Sequence, residues 1–295
     1  MNSEAVFSTT SQPKKFSNTQ LGKILRNTNL VAGGILVLSL LLMAIFATWI
    51  APYSAIEQHP KDRLQAPNAQ YIMGTDEFGR DLFSRVVHGA TNSLRISIVS
   101  VTVSSIVGTL LGVIAAYKEG VADFIIMRVM DLLFAFPTII LAMAIAAAMG
   151  PGFLNTVMAI SIVYVPTFAR IARGSVLNIK SLEYINAATV IGVTDWRKIL
   201  KHIIPNSITP TMVQVSMAFS WAILTETALS YLGLGTQPPL PSWGSMISES
   251  RKMMELAPWL AIFPGVAIMF TVLSFNLLGD GLRDVLDPRS RTSVK

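Results

Sequence analysis

The chain has 295 residues, 52% of them hydrophobic and only 14% charged, with a net charge of +6 and no cysteine. A soluble domain carries about 25% charged residues, so these proportions exclude an ordinary globular protein and describe a polytopic membrane protein. The missing cysteines exclude disulfides, thiolate chemistry and zinc–thiolate sites. The positive charge fits basic cytoplasmic loops better than nucleic-acid binding.

Residues 1–29 form a polar tail with Lys14, Lys15, Lys23 and Arg26. The apolar stretch 30–50 is too long for a signal-peptide core. It reaches the roughly 20 residues needed to cross hydrocarbon, so it is expected to be an uncleaved first span. Five further spans are expected at 94–117, 124–149, 155–172, 208–232 and 258–278. Pro137, Pro166 and Pro210 fall within them, as is tolerated where neighbouring helices satisfy the freed carbonyls.

The segment 51–93 between the first two spans is the longest outside the bilayer. Its centre reads Met73-Gly-Thr-Asp-Glu-Phe-Gly-Arg-Asp-Leu-Phe-Ser-Arg-Val-Val-His-Gly89. Gly74-Thr75-Asp76 suggests a turn leading into a helix near 79–88. The acids and arginines here either pair with one another and pin the loop or bind a charged solute. In the second span, Ser104, Gly108 and Gly112 make a small-residue ridge. Such a ridge admits another helix closely, from this chain or from a partner subunit. In the third span Arg128 and Asp131 are three residues apart on one face and are expected to form a structural ion pair.

After the fourth span comes an amphipathic stretch. It runs Ser181-Leu-Glu-Tyr-Ile-Asn-Ala-Ala-Thr-Val-Ile-Gly192 and continues to Ile203-Ile-Pro205. Two short helical pieces are expected around Gly192, the second stopped by Pro205. The fifth span carries Glu226, an intramembrane acid and therefore a functional hypothesis by default. It either lines a polar pathway or satisfies a neighbouring group. The outer segment 235–257 opens Gly-Thr-Gln-Pro-Pro-Leu-Pro-Ser-Trp-Gly and should be extended or turned. A short helix lying on the outer interface is expected over 245–256.

Orientation follows from Lys and Arg. With the N-terminus inside, the segments 1–29, 118–123, 170–205 and 279–295 hold 15 basic residues, against 6 in 51–93, 150–154 and 235–257. Both termini and the Gly192 stretch are therefore expected in the cytoplasm. The sequence has no phosphate-binding Gly-x-x-x-x-Gly-Lys-[Ser/Thr] loop, no His-Glu-x-x-His and no Gly-x-Ser-x-Gly. No catalytic residue, metal site or ATPase site is expected in this chain. A self-sufficient secondary transporter would be expected to show internal repeats or paired intramembrane charges. No convincing repeat is present, and Glu226 is the one deep acid.

Asn186-Ala-Ala-x-x-x-Gly192, followed by Ile203-Ile-Pro205, resembles the Glu-Ala-Ala signature of ABC-importer permeases, with Asn186 in place of the leading Glu. Met73–Arg85 is similar to the outer-loop motif of the dipeptide/oligopeptide/nickel family, C-type subunit. So are Asp131-Leu-Leu-Phe-Ala-Phe-Pro137, Leu232-Gly-Leu-Gly-Thr-Gln-Pro-Pro239, Pro241-Ser-Trp-Gly244, Asn276-Leu-Leu-Gly-Asp-Gly-Leu-Arg-Asp284 and Asp287-Pro-Arg289. These motifs keep the family order, and glutathione-importing relatives look similar too.

The resemblance implies an all-α polytopic membrane protein of six transmembrane helices, the type I ABC importer permease fold with an added N-terminal helix. The five-helix core would occupy 94–278, between the loop 51–93 and the tail 279–295. The resemblance places an ATPase-coupling loop at 173–206, with Glu183, Asn186, Ala187, Ala188, Gly192, Asp195 and Pro205. It implies a homologous second permease, two cytoplasmic ATPase chains that bind ATP and Mg, an outer solute-binding protein, and surrounding membrane lipid. The implied activity is import of di- or oligopeptides across the cytoplasmic (inner) membrane by alternating access. Nickel or another small solute on the same fold is the alternative.

Overall fold

The computed structural model describes residues 26–286. The basic residues Lys14, Lys15 and Lys23 and the Asp287-Pro-Arg289 motif lie outside the described residues. Among those described, the fold is all-helical apart from one isolated bridge between Thr75 and Asp81. That outcome follows from the solvent. Hydrocarbon offers no partner to a backbone N–H or C=O, so spanning segments satisfy them internally.

The helices in chain order are α1 (Thr28–Ile45), α2 (Ala47–Ile50), α3 (Leu82–Lys118), α4 (Gly120–Phe134), α5 (Thr138–Met149), α6 (Phe153–Lys180), α7 (Glu183–Val190), α8 (Asp195–Lys198), α9 (Ile204–Tyr231), α10 (Trp243–Ser250) and α11 (Trp259–Leu286). Five of these segments are long and apolar enough to cross a membrane: α1, α3, α6, α11 and the continuous run from α8 into α9. The pair α4–α5 passes the same test only jointly, and it is bent by 93°. The single third span expected over 124–149 is thus broken. Pro137 lacks an N–H and has φ −55° and ψ 128°, so the helix ends at Phe134, capped by Ala135, and restarts at Thr138.

Local chemistry sets the helix ends. The Asn27 side chain accepts from Leu30 N and starts α1, and Asp81 Oδ2 accepts from Ser84 N at 2.8 Å and starts α3. The second span therefore begins twelve residues before the expected boundary, because the capped helix of the outer loop runs into it without a break. A π-turn at Ile199–Ile203 joins α8 to α9, with Ile204 N bonded to Ile199 O. Pro205 sits in the first turn of α9 and does not stop a helix there. The widened turn leaves room for a ring that has no N–H to donate.

The bundle is organised around α3 and α6, the most extensively packed pair. An added Cβ at Gly108 or Gly112 would collide with backbone of Val165 or Ala169 on α6. The ridge in the second span thus serves packing within this chain. Ser161 Oγ donates to Ser100 O across the same seam at 3.3 Å. Helix α9 packs against α3, α6 and α11, while α1 lies along α11. There Gly33 meets the backbone of Leu277 and Leu278, and Gly281 meets Leu30.

Candidate functional site

At one end of the bundle, residues of 52–93 and 241–260 knit into a cap. Arg80 Nη2 and Arg85 Nη2 both donate to Glu249 Oε2, at 3.1 and 3.0 Å. Asp76 Oδ2 lies 2.5 Å from Arg80 Nε and 3.5 Å from Arg85 Nε. Arg85 Nη1 donates to Ala55 O at 3.2 Å, and its side chain is 1% exposed. The charges of the outer loop therefore pair with one another and with an acid 164 residues away. Tyr71 donates to Asp62 Oδ2 at 2.9 Å, and burial together with that hydrogen bond pushes its phenol up to about 12.

The short helix expected over 245–256 forms instead over Trp243–Ser250 and packs largely inward, while 251–256 is turn and mostly exposed. Ser242 and Ser245 form a capping box, and α10 turns Trp243 wholly inward. The Trp243 indole N–H donates to Val86 O at 3.0 Å. Of the apolar residues in the expected helix, Met246 is used as core, whereas Met254 and Leu256 stay exposed.

At the other end lies the stretch around Gly192. Helix α7 ends at Val190, Gly192 takes φ +78°, and α8 starts at Asp195. A Cβ at Gly192 would meet nothing nearby, so its requirement is conformational: this φ favours glycine. Ile185 and Ile203 turn inward against Val113, Ala116 and Val176 and seat both arms of the stretch on α3 and α6. Polar ties add register. Tyr117 Oη donates to Asp195 Oδ1 at 2.5 Å, and Lys198 Nζ lies 2.9 Å from the same oxygen. Lys198 also donates to Thr189 Oγ1 at 3.2 Å, crossing the Gly192 turn. Lys180 Nζ bonds Glu119 Oε1 at 2.8 Å and Tyr117 O at 3.1 Å.

What the stretch leaves outside is apolar. Val190 is 87% exposed, Ile191 78% and Trp196 69%. Glu183, Asn186 and Ala187 are exposed as well, whereas Ala188 is buried. The structure thus brings Asn186, Ala187, Gly192 and Asp195 to one end of the molecule, while Pro205 lies at the entry to α9. Tyr117, Lys198 and the exposed pair Ile191 and Trp196 escaped sequence reasoning. The signal for them was a turn of helix with its bulky residues on the wrong side.

Glu226 is fully buried in α9. Its Oε1 accepts from Ser230 Oγ at 2.6 Å, and Oε2 has no partner among the described residues. Arg128 and Asp131 approach to 3.6 Å, but the nearer partner of Asp131 is Arg170 at 2.7 Å. Beside them Arg173 grips Asp123 with two hydrogen bonds of 2.6 Å.

Comparison with known proteins places this geometry. The family described as binding-protein-dependent transport system inner membrane component matches residues 108–292. The N-terminal TM domain of oligopeptide transport permease C matches residues 21–67. The glutathione transport system permease protein GsiD of Pectobacterium atrosepticum is 47% identical over 271 residues, covering 92% of this chain and 90% of the relative. The dipeptide transport system permease protein DppC of Alkalihalophilus pseudofirmus is 46% identical over 267 residues, covering 90% and 88%. Among solved structures, an inward-facing form of the MetNI methionine ABC transporter aligns with TM-score 0.58 at 15% identity, over 69% of this chain and 97% of that one. An amino acid ABC transporter aligns with TM-score 0.53 at 15% identity, over 67% and 92%. These likenesses show a shared fold, that of the type I ABC importer permeases.

Proposed function

The chain belongs to the family of binding-protein-dependent transport system inner membrane components, and on that premise we propose that it is a permease subunit of an ATP-driven peptide importer. As a family member it is a multi-pass inner-membrane permease component. The cargo reading is supported by relatives named for dipeptide and glutathione transport, both cargoes being peptides of two or three residues. The chain works with a second homologous permease, two cytoplasmic ATPase chains and an outer solute-binding protein. The ATPase chains hold ATP and Mg, and this chain has no ATPase site of its own. Both termini lie in the cytoplasm, as the excess of Lys and Arg on that side supports.

The observation that carries the reading is the exposed apolar tip Val190, Ile191 and Trp196 on an element anchored to the bundle. An exposed apolar patch backed by fixed packing is a protein-binding surface. The tip docks on the ATPase. Ties through Tyr117–Asp195 and Lys180–Tyr117 make α3 and α6 follow the loop, and the unbroken run through the π-turn makes α9 follow it. Closure of the ATPase pair therefore moves the inner ends of three helices together, a rigid-body switch between inward and outward access. Glu226 is assigned no cargo contact in this conformation, because its side chain is enclosed within the subunit.

The substrate reading is tested with the complete complex in proteoliposomes holding ATP. Labelled di- and tripeptides are expected to accumulate, with nickel neither accumulating nor competing. Uptake of nickel in preference to peptides would overturn the peptide assignment.

A further inference from the structure

The broken third span carries a constraint that the coupling loop does not. Phe134 and Phe136 are 39% and 51% exposed, and Ala135 and Pro137 beside them are exposed too. Irregular backbone at membrane depth persists only where protein covers it or water reaches it. The 93° break therefore cannot face lipid.

The groove beside the break is charged. It has a cavity volume of about 470 Å³ and is lined by Asp123, Arg128, Asp131, Arg170 and Arg173, with Phe124 and Met127 among its walls. Asp131 lies seven residues inside the span expected over 124–149, about 10 Å at 1.5 Å per residue. Ionisable side chains at such depth face the protein interior or a water-filled cavity. The groove and the break thus agree that this face is turned away from lipid, and the open, charged groove admits water.

The charges divide into two groups. Arg173 and Asp123 close on each other through two hydrogen bonds and neutralise each other. Asp131 is shared by Arg170 at 2.7 Å and Arg128 at 3.6 Å, which leaves one guanidinium in excess. These three side chains are 47%, 47% and 67% exposed. Arg128 stands 5.1 Å from the Phe124 ring centroid, and Arg170 stands 4.0 Å from that of Phe134. The site thus offers a carboxylate and two ring-backed guanidiniums in open, exchangeable pairs.

The geometry points to Arg128, Asp131 and Arg170 as a transit site for the charged termini of a peptide. A peptide with free ends brings one ammonium and one carboxylate. Its carboxylate takes the excess guanidinium of Arg128, and its ammonium shares Asp131 with Arg170. Each contact replaces a loose pair with another of similar strength, which suits a site that must release as well as hold. The cargo class rests on the peptide-import reading above; the water-lined face does not.

The test uses the absence of cysteine from this chain. Met127→Cys, in the groove wall beside the three charges, is made in the complete complex, reconstituted with its binding protein, and treated with a charged, membrane-impermeant methanethiosulfonate on both faces. Val129→Cys, on the exposed side of α4 away from the groove lining, serves as the lipid-facing control. Position 127 is expected to react and position 129 to resist. Dipeptide at ten times its half-saturating concentration, with ATP, should slow labelling at 127 by up to about tenfold. Resistance at 127 to the charged reagent, with reaction toward a lipid-soluble maleimide, would overturn the proposal. Labelling at 127 that peptide does not slow would overturn it also. Gly174→Cys, on the α6 wall of the same groove, supplies the same readout if Met127→Cys fails to assemble. Peptide uptake by the complex with the unsubstituted chain is measured alongside, so a wrong cargo class is told apart from a wrong site.

Discussion

The two ends of this molecule treat their bulky and charged residues in opposite ways. In the cap formed by 52–93 and 241–260 the arginines and the tryptophan are buried: Arg85 and Trp243 are at or below 1% exposure. In the loop around Gly192 Trp196 is 69% exposed and Val190 87%, while a lysine, Lys198, is buried beneath them. Burying charges carries a desolvation cost that only close pairing offsets. Exposing apolar surface to water is unfavourable unless another surface covers it. The cap satisfies its groups within one chain. The loop leaves its apolar tip uncovered. The cap is therefore a stability element and the loop, on the function proposed above, a coupling element, although both are short helices joined by turns.

Substitutions can break this contrast. The largest effect is expected from Arg85→Ala, which removes one of the two guanidiniums shared by Asp76 and Glu249 and leaves Arg80 alone against both acids. Removing one member of a buried pair costs about 3–5 kcal/mol, so a strong fall in melting temperature of the detergent-purified subunit is expected. Trp196→Ala should leave that melting temperature unchanged. It should weaken ATPase binding by about 2 kcal/mol, roughly thirtyfold, as for an aromatic hot spot. Binding of purified ATPase to permease nanodiscs would read it, and equal affinity would remove Trp196 from the interface.

Gly192→Val forces a β-branched residue to φ +78°. The local strain of about 1–3 kcal/mol falls on the turn, not on the spans. Membrane insertion should be normal and ATP hydrolysis should continue while uptake is lost; normal uptake would count against a coupling role. The smallest effect belongs to Tyr117→Phe, which removes one hydrogen bond to Asp195 worth about 0.5–1.5 kcal/mol. A modest fall in uptake per ATP hydrolysed is expected, with little change in hydrolysis itself.

Much of the fold could be read from apolar run length alone, because hydrocarbon thickness fixes span length. The turn at Gly192 was legible from one glycine between amphipathic pieces. Three features were not. The partner of Arg80 and Arg85 is Glu249, beyond the reach of any local pattern. Met246 sits in a stretch with the composition of an interfacial helix and Trp243 in one expected to be extended or turned, and only the capping box and the Val86 carbonyl turn them inward. Pro205 looked like a stop because the π-turn that accommodates it leaves no mark in composition. At the candidate site, the exposed tip Ile191 and Trp196 was hidden for a related reason. Apolar residues on a short helix suggest core until the structure shows which face is already occupied by Ile185 and Ile203.

On the proposed function this chain moves cargo only when a separate ATPase acts on the loop around Gly192. Peptide uptake into proteoliposomes reads this, with the permease pair and binding protein present and the ATPase chains either included or omitted. With ATP supplied, accumulation is expected when the ATPase chains are present and none when they are absent. Accumulation by the permeases without the ATPase chains would contradict it.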